Sequence, residues 1–160
     1  MSNRILIALD DSKGAWKGVE YVARTFKNTP GIEVTLFRVL PGLPTTLWDA
    51  GHILTKGDEK LRRRLAAQWE EEQKKKWEGL FGKGQKLLVA AGIPARMVNR
   101  DFRPDYSSVA EEIIAEAQKG RYSTVVMGRR GLGPMKSAIL GSVTHNVVYH
   151  ARGFAVTIVE

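Results

Sequence analysis

A chain of 160 residues, 43% of them hydrophobic, is sized for one domain whose core closes without covalent staples. It has no cysteine, which excludes disulfides, thiolate catalysis and cysteine zinc sites and predicts a cytoplasmic address. The net charge of +8 favours acidic partners without separating nucleotides from nucleic acid or anionic surfaces, and with no apolar run of ~20 residues no membrane span is expected.

Met1 to Arg4 runs straight into an apolar strand, Ile5 to Leu9, without a leader pattern. Asp10 and Asp11 end the strand, and Asp11 or Ser12 can cap the helix that follows to about Phe26. Ala15, Trp16, Val19, Val22, Ala23 and Phe26 make one face of that helix. Ile32 to Leu40 reads as a second strand, so the first three elements form a parallel crossover unit.

Residues 41–56 carry no clear period and read as a lid or a contact surface. A strong helix then starts near Asp58, with Leu61, Leu65, Trp69 and Trp77 on one stripe. Glu70–Lys74, Glu71–Lys75 and Glu72–Lys76 stand at ion-pair spacing. Gly79, Gly82 and Gly84 weaken it, yet Leu80, Phe81 and Leu88 keep the stripe in phase, which predicts one strained helix to about Ala91. Between Lys56 and Lys86 ten Lys or Arg stand against six Asp or Glu, so half of the net charge lies in this segment.

Ala95 to Arg100 is the third predicted strand, Tyr106 to Lys119 the third helix and Thr124 to Met127 the fourth strand. A fourth helix over about Ser142 to Ala151 and a last strand, Phe154 to Val159, complete an α/β three-layer sandwich around a five-stranded parallel sheet. No internal sequence repeat is present. Such sheets bind ligands outside the strands' carboxyl ends where the winding reverses; with a flavodoxin-like strand order that crevice lies between the first and fourth strands, and Asp10 and the Gly128 loop would face each other.

The fourth strand opens into a loop rich in glycine and cations: Gly128, two residues, Gly131, nine residues, Gly141, then Ser142 at the start of a helix. It is neither a Walker A loop nor a G-x-G-x-x-G fingerprint. Glycines admit close backbone approach, Arg129, Arg130 and Lys136 add charge, and a helix N-terminus attracts anions. By residue type alone the glycines can equally turn a loop, Ser142 can cap a helix, and Asp10 can cap the first helix.

This spacing matches the G-2x-G-9x-G-[ST] signature, and the chain resembles the nucleotide-binding universal stress proteins over its whole length. The resemblance implies a flavodoxin-like or adenine-nucleotide-hydrolase-like strand order and ATP as ligand, with any Mg2+ carried by the phosphates. It implies Asp10 on the base and ribose side and backbone contact from Val39 to the adenine. Met127, Gly128, Gly131, Gly141, Ser142, Val143 and Thr144 match the remaining binding positions. Arg129 and Arg130 lie within the motif without being fixed by it, and either add phosphate charge or point to solvent. The resemblance also implies a homodimer through Phe154 to Val159 and a stress-response or regulatory role with little or no hydrolysis.

The chain departs from the family pattern in three places. Asp101 to Pro104 lacks the glycine common before the proline, Ala155 replaces a common proline, and the segment from Trp48 to Gly84 is unusually long and charged. No catalytic group is assigned: Ser142, His145 and Asp10 lack a G-x-S-x-G elbow. His52, His145 and His150 lack carboxylates at metal-ligand spacing. A receiver-domain reading fails for want of a lysine at the end of the last strand. Two other functions remain open, an interaction module of the same fold that binds no nucleotide, and a nucleic-acid binder using the face from Lys56 to Lys86.

Overall fold

Runs of branched apolar residues form strands here because helices cover both faces of each. The computed structural model describes residues 3–40, 56–104, 108–130 and 140–160. The strands are β1 (Asn3–Ala8), β2 (Ile32–Leu40), β3 (Val98–Pro104), β4 (Thr124–Gly128) and β5 (Ala155–Val159). They alternate with helices α1 (Lys13–Thr25), α2 (Lys56–Ala90), α3 (Val109–Lys119) and α4 (Ser142–His150).

All pairings are parallel, in the order β3-β2-β1-β4-β5. The winding therefore reverses between β1 and β4, as expected; a strict 2-1-3-4-5 flavodoxin order would reverse between β1 and β3. Strand alternation divides the core. Ile5, Ile7, Val34, Leu36 and Val126 face α1 and α2, while Leu6, Ala8, Phe37, Val39 and Met127 face α3 and α4.

The bounds of two predicted elements move. Ala95–Met97 forms a 3-10 turn, with Met97 N–H donating to the Pro94 carbonyl at 2.8 Å, and β3 starts only at Val98. Asp101 to Pro104 is thus strand and not the loop after it. Phe102 stacks on Phe81 of α2 with ring centroids 4.8 Å apart, and on the other face Arg103 bridges Asp101 at 3.2 Å and Glu116 of α3 at 2.7 Å. The third helix begins at Val109, where Ser108 caps it by accepting the Glu111 N–H at 3.1 Å; Tyr106, its expected start, lies outside the described residues.

α2 is continuous through its three glycines, as the phase of its stripe predicted. Gly84 lies on the buried stripe Trp77, Phe81, Gly84, Leu88, where an added Cβ would come within 3.0 Å of Leu36 Cδ1. The glycine there lets the helix settle on the sheet. Gly79 and Gly82 have open space, so nothing in the packing offsets their low helix propensity. Residues 57–76 of α2 include none that is buried, and Leu61 is 56% exposed. Two of the three expected ion pairs stand, Glu70–Lys74 at 2.8 Å and Glu71–Lys75 at 4.0 Å, whereas Lys76 turns to Asp11 at 2.9 Å.

Candidate functional site

At the carboxyl ends of β1 and β4 the backbone, more than any side chain, shapes the crevice. Asp10 Oδ1 accepts the Ser12 N–H at 2.8 Å, and Ser12 Oγ in turn accepts the Ala15 N–H at 3.2 Å, capping α1. Ser12 is therefore the cap. Asp10 is half-buried, and its Oδ2 accepts no hydrogen bond among the described residues.

Gly128 ends β4 against the first turn of α1. A Cβ there would lie 2.7 Å from Gly14 C and 3.0 Å from both Gly14 O and Ala15 N, and backbone cannot swing aside as a flexible side chain can. Conversely, a Cβ on Gly14 would meet the Arg130 carbonyl at 3.1 Å. The need for glycine at 128 is thus already set by α1, before any ligand is considered. Gly14 is the partner that sequence reasoning missed, although a glycine in the first turn of an otherwise regular helix was a readable sign.

Thr144 is buried, and its Oγ1 donates to the Gly128 carbonyl at 3.0 Å, tying α4 to the end of β4. Gly141 N–H donates to the Arg129 carbonyl at 3.0 Å, and Arg129 N–H to the Val159 carbonyl at 2.9 Å. Gly141 is the N-cap of α4 and has no side chain with which to cap it. Among the described residues Ser142 and Val143 N–H have no acceptor, whereas Ser12 supplies one at the start of α1; uncapped helix N-termini attract anions. Ser142 is exposed and Val143 packs against the α3/α4 core. The Gly141 φ of −64° is one that any residue adopts, so left-handed backbone is no reason for glycine there. Arg129 pairs with Glu160 at 2.8 Å and Arg130 is exposed; Gly131 and Lys136 lie outside the described residues.

Val39 and Met127 are buried floor residues on the α3/α4 side. The ladder between β1 and β2 ends with Leu9 N–H donating to the Phe37 carbonyl at 2.8 Å. By the two-residue period of a strand, the backbone groups of Val39 point the same way past the end of β1, without a ladder partner. A carboxylate oxygen, a strand edge and a helix start, each without a partner among the described residues, are chemically suited to hydroxyl donors, a flat heterocycle edge and an anion.

A sequence profile of the universal stress protein family matches residues 1–159. The chain belongs to that family. No curated protein matches the sequence. Among solved structures, the universal stress protein fold here resembles hypothetical protein MJ0577, with 22% identity, TM-score 0.75 and coverage of 99% of this chain and 96% of that one. UspA from Lactobacillus plantarum superposes at TM-score 0.70 with 17% identity over 99% and 98% of the two chains. The Archaeoglobus fulgidus universal stress protein in complex with dAMP gives TM-score 0.60 and 16% identity over 98% and 97%.

One charged group beside the crevice of this universal stress protein, Arg38, was not singled out from the sequence. Arg38 of β2 is buried, lies 4.7 Å over the Trp77 ring and donates through Nη1 to the Leu9 carbonyl at 3.2 Å. Burial pulls its guanidinium below the usual arginine value, while Asp11 and then Asp10 push back. It stays charged at any working pH. An arginine inside the apolar run from Ile32 to Leu40 was the sign available for it. Asp101, at the β3 edge, is pushed above the usual carboxylate range chiefly by burial, against the pull of Arg103, and serves the ion triad with Glu116. Among the described residues no helix is long and apolar enough to cross a membrane.

Proposed function

We propose that this universal stress protein is a single-domain, cytoplasmic regulatory or stress-response protein that holds ATP or a related adenine nucleotide at the β1/β4 crevice. What supports the reading is that three backbone and side-chain groups near one switch point have no partner among the described residues. Asp10 Oδ2 suits ribose hydroxyls, the Val39 backbone suits the adenine edge, and the start of α4 with the Ser142 hydroxyl suits phosphate. The complex of the Archaeoglobus fulgidus relative with dAMP supports the ligand class. Met127, Gly128, Val143 and Thr144 then act as scaffold more than as ligand contacts, and Arg129 and Arg130 tune charge. Gly131 completes the loop motif of this reading. Mg2+ arrives with the phosphates.

Turnover is slow or absent, because no described group is placed as a base for water and the chain has no Walker lysine. The nucleic-acid alternative is weakened by α2 itself, where Lys74, Lys75 and Lys76 are each taken up by a carboxylate. Titration calorimetry of ATP with Mg2+ into protein stripped of nucleotide is expected to show one site per chain. Absence of heat and of competition by AMP would overturn the reading and leave the interaction module.

The second part of the proposal is a homodimer through β5. Among the described residues that strand pairs only with β4, leaving an edge on which Ile158 is 39% exposed, and a two-fold contact would satisfy both copies. Sedimentation equilibrium is expected to return twice the chain mass of 17.8 kDa at micromolar concentration, and a monomer would refute it.

A further inference from the structure

Asp10 has a neighbour on each side in sequence, and both are held by one side chain. Arg38 Nη1 donates to the carbonyl of Leu9 at 3.2 Å, and Nη2 stands 3.7 Å from Asp11 Oδ2. The guanidinium is pressed flat against Trp77, 4.7 Å from the ring centroid, and Trp77 is wholly buried. Lys76, the preceding residue of α2, closes on Asp11 from the solvent side at 2.9 Å. The turn carrying Asp10 is therefore clamped by a cation from β2 that is braced on a helix belonging to a different crossover.

The clamp is costly. Arg38 Nε and Trp77 Nε1 are buried without hydrogen-bond partners, and a well-packed apolar side chain at 38 would avoid that desolvation. What an apolar residue cannot do is hold the Leu9 carbonyl and the Asp11 carboxylate together. A planar guanidinium has donors in fixed directions and suits that task better than an ammonium.

We infer that Arg38, braced by Trp77, is a positioning residue that sets Asp10 towards the ribose side of a bound nucleotide without touching the nucleotide. The inference rests on the adenine-nucleotide reading above. It also makes α2, through Lys76 and Trp77, part of the support of the site.

The test is a double-mutant cycle read by calorimetry with ATP and Mg2+ on the full chain. Arg38→Met and Asp10→Asn are each expected to weaken binding about tenfold, and the double variant no more than about tenfold, because one acts through the other. A merely structural effect of Arg38 would multiply with Asp10→Asn to about a hundredfold. Arg38→Lys, which keeps the charge and one donor, is expected to recover part of the loss. Asp11→Asn leaves the core untouched and keeps the test open if Arg38→Met fails to fold; it is expected to weaken ATP about threefold. Wild-type affinity in Arg38→Met or in Asp11→Asn, or independent losses in the cycle, would overturn the inference alone. Wild-type protein that binds no ATP would overturn the ligand reading and, with it, this inference.

Discussion

Trp77→Ala is expected to lower the free energy of unfolding by about 3–5 kcal/mol, a large part of what a domain of this size has. Trp77 is fully buried where α2 meets the sheet, at 60° to Phe81 with ring centroids 5.7 Å apart, and Phe81 passes the contact to Phe102 of β3. Removing the indole opens a cavity under α2 and also strips the aromatic face from a buried cation, so the transfer and cation–π contributions are lost together. Trp77→Phe separates the effects. It keeps most of the volume and removes the unpaired Nε1, so its cost should be within about 1.5 kcal/mol. Urea unfolding at fixed protein concentration, with an unchanged m-value, is the measurement. An alanine variant within about 1 kcal/mol of wild type would mean that α2 is held mainly elsewhere.

Gly128→Ala is expected to destabilise the fold by about 1–3 kcal/mol and to weaken ATP at least about tenfold. The new methyl would sit 2.7 Å from a backbone carbon of α1, so β4 and α1 must part. Parting moves the Gly128 carbonyl that Thr144 holds, and with it the open start of α4. Arg130→Ala removes an exposed charge two residues further along and should leave stability within about 0.5 kcal/mol. Normal stability in Gly128→Ala would show that α1 yields easily, and the tight approach would then have no part in forming the site.

The sheet and its parallel sense were legible because short, continuous apolar runs alternate with helical periods along the chain, and the switch point followed from the strand order that the resemblance implied. Gly128, Gly141 and Ser142 were legible as a motif, but the motif did not reveal why Gly128 is glycine. That reason lies in Gly14, more than a hundred residues away in sequence. β3 was misplaced because Asp101 and Arg103 look like loop residues until Glu116 of α3 balances them. Arg38 was hidden by its run: a charge in a buried strand asks for partners, and these came from Leu9, Asp11 and α2, which only the folded chain assembles. Lys76 shows the limit of local rules, since its helical neighbour Glu72 was the expected partner and the tertiary one, Asp11, took its place.

The central pairing of β1 with β4 joins Ile5 to Thr124 and Ile7 to Val126, so the middle of the sheet cannot close until most of the chain exists. During synthesis β1 can zip onto β2 and β2 onto β3, but the other side of β1 stays open until β4, Thr124–Gly128, has been made. The apolar run Ile5 to Ala8 of β1 stays unpaired on one side meanwhile, and exposed strand edges of that kind are prone to mispairing on a nascent chain. The crevice follows the same schedule. Asp10 precedes β2 and Ser142 follows β4, so on the adenine-nucleotide reading proposed above a ligand cannot template the pairing of β1 with β2; it can only latch a chain that has already brought β4 to β1.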